Sequence, residues 1–471
     1  MKVVRRDITE ELAPVFNPKS VALVGISDSF SNVGNMYLLS LREAGFPAVY
    51  PVNPKGGEIA GAKVYRSIED IPGEIDLAIL TVPREAVSDI TRECARKRVK
   101  AMVLYTGGFG EMGAEGRRLQ DEIVEIAREG GTRVIGPNCL GPYNPRAKLV
   151  TQLILPKEIG TVGVISHSGF LFYYLLMSVA EQGLLPSKGV SCGSDSDLTC
   201  VDFLEYLGRD PDTKVIIAYL EGIRDGRLLE VGREVSLRKP VIVVKGGNSE
   251  AGVKASASHT GTLAVSSVLW KTLCSQTGIL SVDSFEQMMD TMRAMSCLKP
   301  TRGRRVGIIT TPGGLAVTCT DACSQLGLEV PRLTEESQRQ LAEIVEEVGT
   351  SVNNPVDVGM IGALSPEHYM KECIRIVGND PNVDMLLPAF TGPPGDDDEK
   401  DKRTCDILVN EIEATGKPAV ICGAIPQGWP RGEFRFLVNS TVPVYPDPRR
   451  AAQALAKLVE YSEFLASAQA Q

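Results

Sequence analysis

The stretch SVALVGISDSFSNVGN (Ser20–Asn35) decides the fold. It opens on a short β-rich apolar run, breaks at Gly25, and passes through small and hydroxyl residues to Gly34, where a helix is expected. The same alternation recurs downstream in AVYPVNPK (Ala48–Lys55), DLAILTVP (Asp76–Pro83), AMVLYTGGFG (Ala101–Gly110) and RVIGPNCLG (Arg133–Gly141). Helical segments are expected between these runs, over 85–97 and 114–129. Strands alternating with helices make βαβ units and a parallel, doubly wound sheet, whose ligands bind outside the carboxyl ends of the strands. This first domain is expected to span 1–148.

The remainder reads as a diverged repeat. TVGVISHSG (Thr161–Gly169) answers RVGIITTPGG (Arg305–Gly314), DPDTKVIIAYLEG (Asp210–Gly222) answers DPNVDMLLPAFTG (Asp380–Gly392), and KPVIVVKGG (Lys239–Gly247) answers KPAVICGAI (Lys417–Ile425). Two similar α/β domains are therefore expected, at 158–299 and 302–465, joined near CLKPTRGRR (Cys297–Arg305). Each copy opens with a strand, a tight turn and a helix N-terminus, a geometry suited to anions. Only the first copy follows its Lys-Pro strand with a histidine.

Composition narrows the partners. A length of 471 residues predicts two to four domains. A net charge of -9 excludes nucleic acid as a bulk partner, because phosphate backbones require a basic face. The start MKVVRRDITEELAPVF carries charges where a signal peptide needs an apolar core, and no uninterrupted apolar run reaches about 18 residues. A cytoplasmic protein without a membrane span is expected. The 11 cysteines stand singly, with no CxxC pair, so they form neither a disulfide framework nor a zinc cluster. Only Cys139, inside GPNCLG, stands in a context that looks functional.

The glycine turn after the first strand suggests a nucleotide, but Gly25 and Gly34 are too far apart for GxGxxG. The second strand ends in YPVNPK and offers Lys55 where an NAD site places a carboxylate. A cation there suits a ribose phosphate, as in NADP or coenzyme A, and equally suits a solvated turn lysine. The turns VPR (Val82–Arg84), TGGFGE (Thr106–Glu111) and GPNCLG (Gly136–Gly141) lie at successive strand ends, within reach of one extended ligand.

The second candidate site is KASASHTGT (Lys254–Thr262), around one of three histidines. A neutral imidazole attacks phosphorus without a partner base, given a small-residue loop and donors for the phosphoryl oxygens. A loop histidine that is merely hydrogen-bonded reads the same way. No second His, Cys or carboxylate stands at ligand spacing, so no metal is expected on this chain. His368, in SPEHYMKE, falls on an amphipathic helix and is expected to be structural.

Together VALVG…VGN, YPVNPK, GPNCLG and YLEGIRDG…KPVIVVKGG…EAGVKASASHTGTLA resemble the α subunits of the NDP-forming (ADP-forming) acyl-CoA synthetases, in the succinyl-CoA synthetase superfamily. The resemblance implies a Rossmann-like CoA-binding domain followed by two flavodoxin-like, succinyl-CoA-synthetase-like doubly wound domains. It implies coenzyme A contacts at Gly25, Ser27, Asn53, Lys55, Val82, Pro83, Gly107, Asn138 and Cys139. His259 is implied as the residue phosphorylated in turnover, with Glu221 orienting it. Phosphate contacts are implied at Ser168, Gly169, Ser258 and Thr260.

No P-loop or ATP-grasp domain is visible, so ATP or ADP with Mg²⁺ is expected on a separate ATP-grasp β subunit in an α2β2 assembly. Two departures bear on the acyl site. His167 stands where relatives usually carry Gln or Arg, and VSCGSDSDLTC (Val190–Cys200) stands where they read closer to GNKADV. His167, Ser194 and Asp195 are therefore candidate substrate residues, His167 either as a ligand for phosphate or carboxylate or as a side chain that merely fills the slot. With the bulky FLFYYLLM (Phe170–Met177), they imply an acid larger than acetate. The rival readings are a non-catalytic CoA-binding or regulatory paralogue of the same scaffold and an NADP-linked oxidoreductase. The missing GxGxxG and the absence of a hydride-transfer site tell against the latter.

Overall fold

The computed structural model describes residues 7–27, 29, 32–253, 266–311, 313–345, 349–359, 366–390, 398–423 and 440–470. They form two compact units, Met1–Asp283 and Ser284–Gln471.

The first unit holds two sheets. Strands β1 (Val21–Val24), β2 (Val49–Val52), a small hairpin of β3 (Gly57–Ile59) and β4 (Ala62–Val64), β5 (Leu77–Leu80), β6 (Ala101–Leu104) and β7 (Arg133–Ile135) come first in the chain. All but the hairpin make one sheet in the order β2-β1-β5-β6-β7, with every pair parallel. The five runs read from the sequence are these five strands. Helices Arg84–Lys97 and Ala114–Glu129 lie between them as expected. Along β1 the side chains divide by period two, with Val21 and Leu23 in one core and Ala22 and Val24 in another. Burial on both faces is why such strands read as continuous apolar runs.

Next come β8 (Gly141–Tyr143), β9 (Val162–Ser166), β10 (Pro186–Ser191), β11 (Val215–Leu220), β12 (Val241–Lys245) and β13 (Leu280–Val282), in the order β13-β12-β11-β9-β10-β8. Strand β8 is antiparallel to β10, and the other pairs are parallel. The second unit carries β14 (Val306–Thr311), β15 (Val356–Asp357), β16 (Met385–Phe390), β17 (Ile421–Gly423) and β18 (Val444–Tyr445), in the parallel order β15-β14-β16-β17-β18.

The repeat survives in detail. Aligning β9 with β14 and β11 with β16 superposes the order β10-β9-β11-β12-β13 on β15-β14-β16-β17-β18. A lysine clamp is kept as well: Lys239 Nζ donates to the Asp210 carbonyl, and Lys417 Nζ to the Asp380 carbonyl at 2.7 Å.

The chain divides into its two compact units after Asp283. One hydrophobic core runs from β1 and β5 through Ile165, Val190 and Ile216, so the first two sheets form a single unit. Strand β8 leaves the first sheet's last turn to pair with β10, and Phe16 stacks on Tyr206 at 4.4 Å. Helix Phe285–Cys297 belongs to the second unit. Arg450 pairs with Asp290 at 2.6 Å, and Tyr445 Oη donates to the Asp290 carbonyl at 2.8 Å.

Candidate active site

Each sheet changes winding direction once, and such a switch point opens a crevice outside the strand ends. In the first sheet it lies between β1 and β5. Gly25 ends β1 at φ +99°, and a Cβ there would fall 2.6 Å from the Thr81 carbonyl oxygen, so only glycine passes. The turn that follows is laced by side-chain amides. Asn35 Nδ2 donates to the Ser27 carbonyl at 2.5 Å, Asn53 Nδ2 to the Ile26 carbonyl at 2.5 Å, and the Lys55 amide to Asn53 Oδ1 at 2.9 Å. Lys55 itself is exposed beyond β2. Val82 and Pro83 lead into helix Arg84–Lys97 at the end of β5. Gly107 follows β6, where a Cβ would lie 3.4 Å from Asn138 Oδ1. Asn138 is exposed in the left-handed region at φ +58°. The expected CoA residues thus stand at neighbouring carboxyl ends, and Asn53 acts as a scaffold for the turn.

Cys139 differs from its companions. Its thiol is buried and donates to the carbonyls of Ile135 and Leu104, and burial pushes its pKa up to about 12. Such a thiol is inert. Iodoacetamide at neutral pH is expected to leave Cys139 unmodified in the folded chain, which peptide mass spectrometry checks.

In the second sheet the switch point lies between β9 and β11. Past β9 the chain runs His167–Ser168–Gly169 into helix Gly169–Glu181, with Ser168 as N-cap, its hydroxyl accepting the Leu171 amide at 3.4 Å. The Gly169 and Phe170 amides open that helix without an acceptor among the described residues, as first-turn donors do. Past β11 comes Glu221, 6% exposed. The Tyr219 hydroxyl lies on the same side of the chain as its carboxylate, and burial first, then the Glu221 charge, pushes that hydroxyl's pKa well up, so it stays protonated.

Strand β12 ends beside this pair. A Cβ on Gly246 would fall 2.8 Å from Tyr219 Oη and 3.3 Å from Glu221 Cγ. The segment leading toward His259 therefore departs next to Glu221. Ser258, His259 and Thr260 lie outside the described residues.

The candidate acyl residues close on one another. His167 Nε2 meets Asp195 Oδ2 at 3.0 Å, and His167 Nδ1 accepts the Glu221 amide at 3.1 Å. Asp195, at φ +51°, also accepts the Cys200 amide, and its Oδ1 is buried without a hydrogen-bond partner among the described residues. Burial opposes charge on both groups, yet the pair outweighs it: the carboxylate raises the His167 pKa, and the ring lowers that of Asp195. The Ser194 amide donates to the Pro137 carbonyl at 3.1 Å, so this segment also fastens the second sheet to the GPNCLG turn. Of the FLFYYLLM run, Phe172, Leu175 and Leu176 are core, while Phe170 and Tyr174 are 77% and 44% exposed one turn apart.

Among the described residues one group of possible metal donors stands together: His167, Asp195 and Cys200, with donor atoms within 4.8 Å of one another. Both ring nitrogens are already engaged, and burial first, then the Asp195 charge, keeps the Cys200 thiol protonated. Hydrogen bonding accounts for the group.

Two residues escaped the sequence reading. Tyr219 places its hydroxyl near Glu221, and Lys245 ends β12 with its buried ammonium donating to the carbonyls of Gly246 and Gly247 at 3.1 and 2.9 Å. The signal for Lys245 was a lone lysine closing the otherwise apolar VIVVK. Tyr219, inside an apolar strand, offered none.

Residues 19–145 match the CoA-binding domain family, and 159–295 match the succinyl-CoA ligase-like flavodoxin domain. The chain is 36% identical to the α subunit of an ADP-forming acetate–CoA ligase II of Pyrococcus furiosus, over 95% of this chain and 97% of that one. The chain belongs to the α subunits of the ADP-forming acyl-CoA synthetases. A solved member of this family, the dinucleotide-forming acetyl-coenzyme A synthetase 1 of Ca. Korarchaeum cryptofilum in complex with phosphate and ADP, superposes with a TM-score of 0.86. It is 32% identical, over 97% of this chain and 98% of that one. A trans-feruloyl-CoA synthase from an unknown prokaryotic organism is 30% identical over 98% of this chain, which covers 66% of it. No described helix is long and apolar enough to cross a membrane.

Proposed function

We propose that this α subunit interconverts acyl-CoA, phosphate and ADP with a carboxylic acid, CoA and ATP through an acyl phosphate and a phosphohistidine. One observation carries the reading: β9 and β11 bring the Ser168–Gly169 helix N-terminus and the buried Glu221 to the same switch point, beside the chain that leads to His259. In the first step a phosphate oxygen attacks the thioester carbonyl, the C–S bond breaks, and the CoA thiolate takes up the proton released from phosphate. The Gly169 and Phe170 amides hold the phosphoryl oxygens. In the second step the lone pair of His259 attacks phosphorus and the carboxylate leaves, while Glu221 accepts the N–H of the other ring nitrogen. In the third step the phosphoryl group passes from His259 to ADP.

The glycine turn at Gly25 and the strand ends at Lys55, Val82, Gly107 and Asn138 bind coenzyme A. The nucleotide and its Mg²⁺ belong to an ATP-grasp β subunit, in an α2β2 assembly acting in the cytoplasm. The trans-feruloyl-CoA synthase, a third of whose length lies beyond this chain, is consistent with such a second part. The acid is larger than acetate, since Phe170 and Tyr174 offer two aromatic faces beside the phosphate turn.

The test supplies the full chain with radiolabelled phosphate and, in turn, acetyl-CoA and feruloyl-CoA, without nucleotide. Acid-labile, base-stable label mapped to His259 by peptide sequencing is expected, with feruloyl-CoA the better donor. No label from any acyl-CoA in a wider panel overturns the reaction, and acetyl-CoA as the best donor overturns the larger acid.

A further inference from the structure

His167 sits where three parts of the site join. Its own amide donates to the Tyr219 carbonyl at 3.1 Å, which continues the parallel pairing of β9 with β11. In a continuing parallel ladder the Glu221 amide would then donate to the His167 carbonyl. It donates instead to the His167 ring, at Nδ1. The side chain thus takes over one rung of the ladder, and the backbone turns away at once into Ser168 and Gly169. Because Nδ1 accepts an N–H, the single ring proton stands on Nε2, where Asp195 Oδ2 receives it at 3.0 Å. The Asp195 charge favours a second ring proton, but that proton would point at the Glu221 amide proton and break the bond that Nδ1 accepts, so the geometry holds the ring neutral. With both nitrogens spent and the residue 8% exposed, the ring has nothing to offer a phosphate or an acyl group.

We propose that His167 is a positioning residue for phosphoryl transfer, a neutral ring clamped between Asp195 and the Glu221 amide that fixes the Glu221 carboxylate relative to the Ser168–Gly169 turn. The role rests on the reaction proposed above. The Tyr219 hydroxyl stands near the carboxylate, and the clamp holds the backbone from which it springs. Asp195 sets the tautomer in the manner of an outer-shell carboxylate behind a working imidazole.

Three variants of the full chain test it: His167→Leu, His167→Asn and Asp195→Asn. The readouts are the rate of label transfer from phosphate and acyl-CoA to His259 and the KM for CoA. An asparagine amide oxygen lies as far from the backbone as Nδ1 and can accept the Glu221 amide, whereas leucine cannot. Transfer in His167→Leu is expected to fall about 10–100-fold, the usual loss on removing an outer-shell partner, with the KM for CoA unchanged. His167→Asn is expected to recover most of that loss, and Asp195→Asn to lie between them.

Independently of activity, ¹⁵N NMR of the chain's three histidines is expected to show one ring protonated at Nε2 only, a signal missing from His167→Asn. Equal transfer in wild type and His167→Leu overturns the clamp, as does an asparagine no better than leucine. An Nδ1–H tautomer, or a stoichiometric zinc in the purified chain, overturns it too. A wild-type chain that takes no label removes the reaction itself and the clamp with it, which distinguishes the two failures.

Discussion

Glu221→Gln is expected to slow label transfer to His259 by about 10²–10⁴-fold while leaving CoA affinity as in the parent chain. The glutamine fills the same volume beside Tyr219, so packing behind β11 is kept. What is lost is the negative charge that the proposed reaction sets against the imidazole. A histidine that attacks phosphorus with one nitrogen becomes cationic as the bond forms, unless its second proton has somewhere to lean. A carboxylate receives that N–H, selects the tautomer in advance and stabilises the developing charge in a dry site. A carboxamide oxygen is a weaker acceptor, and its N–H₂ face would hold the ring in the wrong tautomer. His259→Ala sets the floor and is expected to take no label. Pre-steady-state transfer from labelled phosphate and acyl-CoA measures the first variant against the second. A Glu221→Gln rate close to that of the parent would show that another group carries the charge.

Why was Glu221 legible and its support not? The strands announced themselves because both faces of each sheet are covered, so VALV, LAIL and AMVL read as unbroken apolar runs. The repeat was legible because each copy reuses one strand order. Strand β8 escaped because Gly141-Pro142-Tyr143 has no strand signature. A proline is tolerated there because β8 is an edge strand, opposite Val190 of β10. The hairpin β3–β4, closed by Ala60 and Gly61 with positive φ, was hidden in a glycine-rich stretch.

At the site, the motif YLEG and the turn after β9 pointed to Glu221 and Ser168 through family resemblance. The contacts of His167 lie 28 and 54 residues away and follow from how β9 and β11 happen to end, which no local pattern encodes. For the same reason Cys139 looked functional in its motif, and only burial reveals its thiol as inert.

The segment that departs from the family pattern also carries the second large expected effect, at Asp197. Its side chain is fully buried and receives five donors: Arg128 Nε at 2.8 Å, Arg133 Nε at 2.9 Å, a second guanidinium nitrogen of each arginine, and the Val134 amide at 2.8 Å. The carboxylate thereby pins the loop after β10 to β7 and helix Ala114–Glu129, and so joins the first sheet to the second. Asp197→Ala leaves the Val134 amide without an acceptor and strips half-buried Arg133 of one of its two carboxylates, Glu11 remaining. Arg128 is 57% exposed and returns to water, which limits the loss.

A cost of about 2–4 kcal/mol follows, hence a fall of roughly 3–7 °C in the melting temperature of a unit this size. Asp197→Asn keeps an acceptor for Val134 and is expected to lose less.

The pH dependence has a definite sign. Burial alone would raise the Asp197 pKa, but Arg133, the Val134 amide and Arg128 outweigh it and hold the carboxyl below its ordinary value. Its contribution is therefore complete above the ordinary carboxylate range and lost as pH falls through the lower folded value. Thermal melts of parent and Asp197→Ala across acid pH should converge as the carboxyl protonates. Curves that keep a constant gap would remove Asp197 from the junction. Because Asp195 stands two residues away on the same segment, the variant should also transfer phosphate more slowly at temperatures where it remains folded.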